Sequence, residues 1–176
     1  MRLFIAVNFD METRNRLMAV QDRLRAAASG TFTRPDNLHL TLVFLGETEQ
    51  NRIPAVKKAV DTTKGESTRL TFDHTGSFRR RGGDIWWVGL RKNTDLERIQ
   101  RSLCDKLAHE GFILKKRTFS PHITLARRVV LRRQVSPDSL MGEPFETNLD
   151  AISLMRSDRI NGKLTYTELY RRKLQH

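Results

Sequence analysis

HLTLVFLG (residues 39–46) and HITLAR (residues 122–127) are one motif written twice, 83 positions apart. Side chains i and i+2 of a strand point to the same face. In the first copy Leu38, Leu40, Leu42 and Phe44 fall on one face, as a core requires, and His39 and Thr41 on the other. In the second copy Ile123 and Leu125 take the core face, while His122 and Thr124 lie opposite. Each strand is therefore expected to present an imidazole and a hydroxyl about 7 Å apart, looking the same way.

Working outward, the same offset joins the flanking segments. Leu3–Val7 maps onto Trp86–Leu90, and Arg34 in the loop TRPDNL maps onto Arg117 in RTFSP, again 83 positions on. Leu17, Val20 and Leu24 make a helical stripe in the first half, and Leu96, Ile99, Leu103 and Leu107 make one in the second. Thr94 with Glu97 reads as a capping box, and Gly111 stands where a helix would stop. Residues 50–64 read as helix and STRLTFDHTGSF as strand, and RINGK is a hairpin turn between two late strands. The expected fold is α+β: one bilobal domain over residues 1–176, with repeat halves of approximately 1–82 and 83–176. Its two lobes are related by a pseudo-twofold, each a mostly antiparallel sheet with outer helices, and they enclose a central cleft.

Composition narrows the partners. Thirty-two Lys and Arg against twenty Asp and Glu leave a formal charge of +12, a field that attracts polyanions such as RNA. The turn Arg79-Arg80-Arg81 and the stretch from Arg127 to Arg133 are candidate backbone contacts or solvated charge. No apolar run has the length of a membrane span, and MRLFIAVNFD reads as a strand, not a signal peptide. The single thiol, Cys104, forbids an intrachain disulfide and reads as a helix packing residue. A monomeric cytoplasmic protein with no membrane partner is expected.

Of the histidines, only His39 and His122 have Thr at +2 and Leu at +3, and they do so at matching places in a repeat. A packing role does not explain that duplication. His74 and His109 lack this context and read as structural. Two imidazoles facing one cleft suit phosphodiester cleavage, which needs a base for the nucleophile and an acid for the leaving oxygen. Two threonine hydroxyls can donate to the non-bridging oxygens, where charge builds. A metal hydrolase is the competitor, but there is no His-Glu-x-x-His, no Cys/His cluster and no acidic residue inside either motif. Neither a metal nor another cofactor is expected.

The paired motifs resemble those of the 2H phosphoesterase superfamily. RLFIAVNF at the start, PDNLHLTLVFLGE, IWWVGL and FSPHITLARR look, in the same order, like the bacterial and archaeal RNA 2′,3′-cyclic phosphodiesterases, also called 2′-5′ RNA ligases. The resemblance implies metal-independent opening of a 2′,3′-cyclic phosphate to a 2′-phosphomonoester. It makes His39 the proton donor to the departing 3′ oxygen and His122 the base that activates water, an order the near-symmetric halves do not themselves fix. The resemblance also implies ATP-independent 2′-5′ joining, with a 5′-hydroxyl in place of water. Arg127 is implied as a phosphate contact, although simple alternation points it away from His122, so a bulge or strand end must redirect it. Phe119 and Phe44 are base-stacking candidates and equally core candidates. The alternatives are an enzyme working mainly on tRNA fragments and a basic RNA-binding module without catalysis.

Overall fold

A computed structural model describes residues 1–176. In chain order the strands are β1 (Arg2–Asn8), β2 (Ala28–Phe32), β3 (His39–Glu47), β4 (Thr68–Phe78), β5 (Asp84–Leu90), β6 (His122–Leu131), β7 (Phe145–Leu149), β8 (Ala151–Ile160) and β9 (Lys163–Lys173). The helices are α1 (Met11–Arg25), α2 (Ile53–Thr62), α3 (Thr94–His109) and α4 (Pro137–Met141). The strands form two wholly antiparallel sheets. One runs β3-β1-β8-β9 and the other β2-β6-β5-β4-β7.

The expected α+β architecture is present, with one rearrangement that local pattern does not encode. β8 comes from the second half yet completes the first sheet beside β1, and β4 comes from the first half yet completes the second sheet beside β5. The helices cross over too. α1 packs on β6, and α3 packs on β3. Their predicted stripes, Leu17-Val20-Leu24 and Leu96-Ile99-Leu103-Leu107, are buried in a cluster that runs from Leu3 to Leu174 and includes residues of both sheets.

Local chemistry sets the ends of these elements. Asp10 caps α1, its carboxylate accepting from the Thr13 amide at 2.8 Å. α3 is capped one residue earlier than its Thr-x-x-Glu pattern suggests. Asn93 accepts from Leu96 N–H at 2.8 Å, so Thr94 is the first helical residue. Asn161 and Gly162 both take positive φ (51° and 75°) in the β8–β9 turn, as a type I′ hairpin demands.

Candidate active site

The two motif strands lie side by side where the sheets meet, so His39 and His122 share one cleft. The positive charges of His122 and Arg127 are both felt at His39. Each ring is held in the same way. His39 Nδ1 donates to the Asn37 carbonyl and His122 Nδ1 to the Ser120 carbonyl, both at 2.7 Å. An acceptor carbonyl requires Nδ1–H, so in the neutral ring Nε2 is the bare nitrogen. Here the copies diverge. His39 Nε2 lies 2.8 Å from Thr41 Oγ1, whereas His122 Nε2 has no protein partner. Thr124 is tied down by its backbone, its carbonyl accepting from Thr33 Oγ1 at 2.9 Å.

Burial pushes both imidazoles below their ordinary range, opposed in each case by the carbonyl held at Nδ1. At His39 the nearby positive charges of His122 and Arg127 push the same way, as does Arg127 at His122. Both rings therefore favour the neutral form.

A matched pair of β-bulges shapes the rest of the cleft. Along β1 the register jumps from Ala6↔Thr41 to Ile5↔Val43, so Leu42 is the extra residue. Along β5 it jumps from Trp87↔Thr124 to Trp86↔Ala126, so Leu125 is the extra residue. Beyond each bulge the alternation inverts. Val43 and Ala126 turn into the core, and Phe44 and Arg127 turn out. Simple alternation thus misplaces Phe44: it is 66% exposed, not a core-face residue. The same inversion aims Arg127 toward the histidines, and a second irregularity with Arg128 at φ 53° follows it. Phe119 is half-buried and packs against the core.

Several site residues escape a motif search. Tyr166 meets His39 edge-on (5.2 Å, 89°), and Phe4 lies 5.0 Å from the same ring. Phe78 meets His122 edge-on (5.1 Å, 89°), with Trp87 at 6.1 Å. Burial raises the Tyr166 phenol, partly offset by Arg127 and Arg2. Tyr166 and Phe78 have no repeat partners to flag them. Trp87 lies in the strand run that the repeat singled out, but that run is offset by 81 in space, since Asn8 pairs with His39 and Gly89 with His122. A two-residue slip preserves every face, so alternation alone cannot detect it. No group of three or more His, Cys, Asp or Glu side chains gathers anywhere in the chain.

The family model described as the 2′-5′ RNA ligase superfamily matches residues 5–161. The chain belongs to this superfamily. Among its relatives in the 2′-5′ RNA ligase superfamily is an RNA 2′,3′-cyclic phosphodiesterase of Escherichia coli (strain K12). It is 28% identical, over 97% of this chain and 94% of that protein. A protein of the same name from Methanothermobacter thermautotrophicus is 29% identical over 96% of each. The crystal structure of E. coli LigT complexed with 3′-AMP superposes with a TM-score of 0.81 at 27% identity, covering 99% of this chain and 98% of that one. No helix of the chain is long and apolar enough to cross a membrane.

Proposed function

We propose that this chain is an RNA 2′,3′-cyclic 3′-phosphodiesterase that works without a metal through His39 and His122. The observation that carries this is the pair of imidazoles held identically at Nδ1 in one cleft, the Nε2 of His122 free and that of His39 engaged only by the Thr41 hydroxyl. His122, whose Nε2 is free, takes a proton from water. The water oxygen attacks phosphorus, the bond from phosphorus to O3′ breaks, and His39 delivers a proton to O3′. A 2′-phosphomonoester remains, and exchange with solvent returns each ring to its starting state. The acid and base assignment follows the family. A bound phosphate anion favours the charged imidazole and so offsets the burial that keeps His39 neutral in the free protein.

Thr41 and Thr124 donate to the non-bridging oxygens as charge develops on them. This requires the Thr41 hydroxyl to turn from His39 Nε2 to the phosphate. Arg127, aimed into the cleft by its bulge, supplies a fixed positive charge for the same group. Phe44 offers the exposed ring on which a terminal base can stack. Phe119 serves the site by anchoring the segment whose next residue, Ser120, holds His122. Joining of tRNA fragments through a 2′-5′ linkage follows the same path with an RNA 5′-hydroxyl in place of water as the attacking group. The protein is expected to act as a cytoplasmic monomer.

The test is turnover of an RNA ending in a 2′,3′-cyclic phosphate, in EDTA, by wild type, His39→Ala and His122→Ala. A 2′-phosphate product and a loss of about 10²-fold or more in each variant are expected. Activity lost in EDTA and restored by zinc, or turnover unchanged in both variants, refutes the assignment. RNA binding with no turnover by wild type supports the non-catalytic module.

A further inference from the structure

His74 lies on the cleft face of the second sheet, and β4 is bulged to place it. Phe72 pairs with Leu90 and His74 with Gly89, which leaves Asp73 as the extra residue. Adjacent strand residues ordinarily point to opposite faces. The bulge instead brings Asp73 Oδ1 to 2.6 Å from His74 Nδ1. An ionised carboxylate only accepts, so Nδ1 carries the proton. Nε2 hangs over Gly89, where a Cβ would stand 2.2 Å from it. Gly89 in turn pairs with His122. His74, Gly89 and His122 therefore form one row across three neighbouring strands, about 10 Å from end to end at ordinary strand spacing, and its middle member has no side chain of its own. Trp87 borders the gap, 5.7 Å from His74 and 6.1 Å from His122. Its indole lies over Gly76, which has no Cβ to displace it.

We propose that His74, braced by Asp73, is a subsite for the phosphodiester immediately upstream of the RNA's reactive end. The proposal rests on the cyclic-phosphate reading of the same cleft. Half of the His74 side chain is exposed to solvent (50%), and Arg91 Nε stands 3.4 Å from Asp73 Oδ2. Two basic groups therefore gather on one carboxylate, and the carboxylate fixes the ring. With both nitrogens protonated, the imidazole donates to Asp73 at one side and to a phosphate oxygen at the other. A strand whose terminal phosphate sits at His122 runs toward β4 and meets, with its next phosphate, the His74 ring that lies over Gly89. Specificity for RNA over a lone cyclic nucleotide would then arise on β4, away from the reacting atoms.

Three substrates separate these ideas: uridine 2′,3′-cyclic phosphate, the dinucleotide UpU ending in a 2′,3′-cyclic phosphate, and that dinucleotide with a neutral methylphosphonate as its internal linkage. Wild type is expected to prefer the charged dinucleotide to the neutral one by about tenfold in kcat/KM. His74→Ala should bring that ratio close to unity, and Asp73→Asn should lower it part of the way. A ratio unchanged from wild type in both variants overturns the subsite, as does a wild type that opens all three substrates without preference. Failure of wild type to open any of them overturns the phosphodiesterase assignment, and the subsite with it.

Discussion

Replacing Gln21 by Ala should loosen the second motif from a distance. In both motifs the carbonyl of the extra leucine at the bulge accepts from a helix glutamine. Gln21 of α1 donates to Leu125 O at 2.9 Å and to Thr33 O at 2.7 Å. Gln100 of α3 reaches Leu42 O at 3.4 Å in the first motif. Gln21 is 2% exposed, so its loss admits little water. Leu125 O keeps the Thr33 amide at 2.9 Å, but Thr33 O is left bare. Two lost hydrogen bonds at about 1 kcal/mol each, with the cost of one unpaired, part-buried carbonyl, give about 3 kcal/mol. For a chain of this size that is a fall in Tm of about 6–12 °C. Thr33 also fixes the Thr124 carbonyl, so kcat on a cyclic-phosphate RNA at 25 °C should drop by about tenfold with KM little changed. Gln100→Ala, with its longer contact on a half-buried side chain, should cost under about 1 kcal/mol. Differential scanning calorimetry and steady-state kinetics measure both effects. A Gln21→Ala protein that melts within about 2 °C of wild type would show that neither Leu125 O nor Thr33 O needs a side-chain donor.

Productive turnover needs one imidazole charged and one neutral, and burial holds both below the ordinary value of 6.5. The bell-shaped profile of kcat/KM should therefore centre below pH 6.5, and that of kcat, with a phosphate anion bound, should centre higher; a kcat/KM still climbing at pH 8 is the contrary result. In the unfolded chain the same histidines protonate near 6.5 while the folded ones stay neutral, so stability should be lost as pH falls from about 6.5 through the depressed folded values. Urea midpoints against pH should show a shallower decline for His39→Gln than for wild type, and parallel curves would contradict the assigned cause. Arg127→Ala should lower kcat/KM by about tenfold or more. Because the Arg127 charge depresses both imidazoles, the variant should also move the kcat/KM profile to higher pH, which a purely structural loss would not do.

The duplicated motif, both helix stripes and the Asn-Gly hairpin were legible because each is written in local spacing. Two short strands were not. ASGTF has no apolar alternation, and FETNL is a five-residue edge strand. The bulges left a faint trace in the neighbouring buried pairs Leu42-Val43 and Leu125-Ala126, where alternation breaks. That trace is what separates a core position for Phe44 from its exposed one. Gln21 carried a similar signal, as a polar residue beside the apolar stripe of α1. Tyr166 and Phe78 gave none, since their contacts with the histidines depend on strand order. His74 read as structural because what distinguishes it, a carboxylate brought alongside by a bulge, is a matter of backbone register.

The exchange of β4 and β8 explains why the two motifs form one site. Residues 1–82 alone would leave β1 without β8, and residues 83–176 alone would leave β5 without β4. Each half also sends its helix glutamine to the motif carbonyl of the other half. We propose on this ground that the chain is one bilobal domain in which neither repeat can set its own catalytic strand. Cross-bracing of this kind fixes the relative position of two imidazoles that, in the proposed mechanism, act on opposite sides of one phosphorus atom, where a misplacement of about 1 Å can cost 10²-fold in rate. It also leaves the outer surface of each sheet face free to diverge. On the first sheet the row beside His39 carries Asn8, which bonds Glu168 at 3.1 Å. On the second the matching row carries Gly89 and His74. In the proposed mechanism, then, the symmetry is kept in the parts that move protons and abandoned in the parts proposed to meet the rest of the substrate.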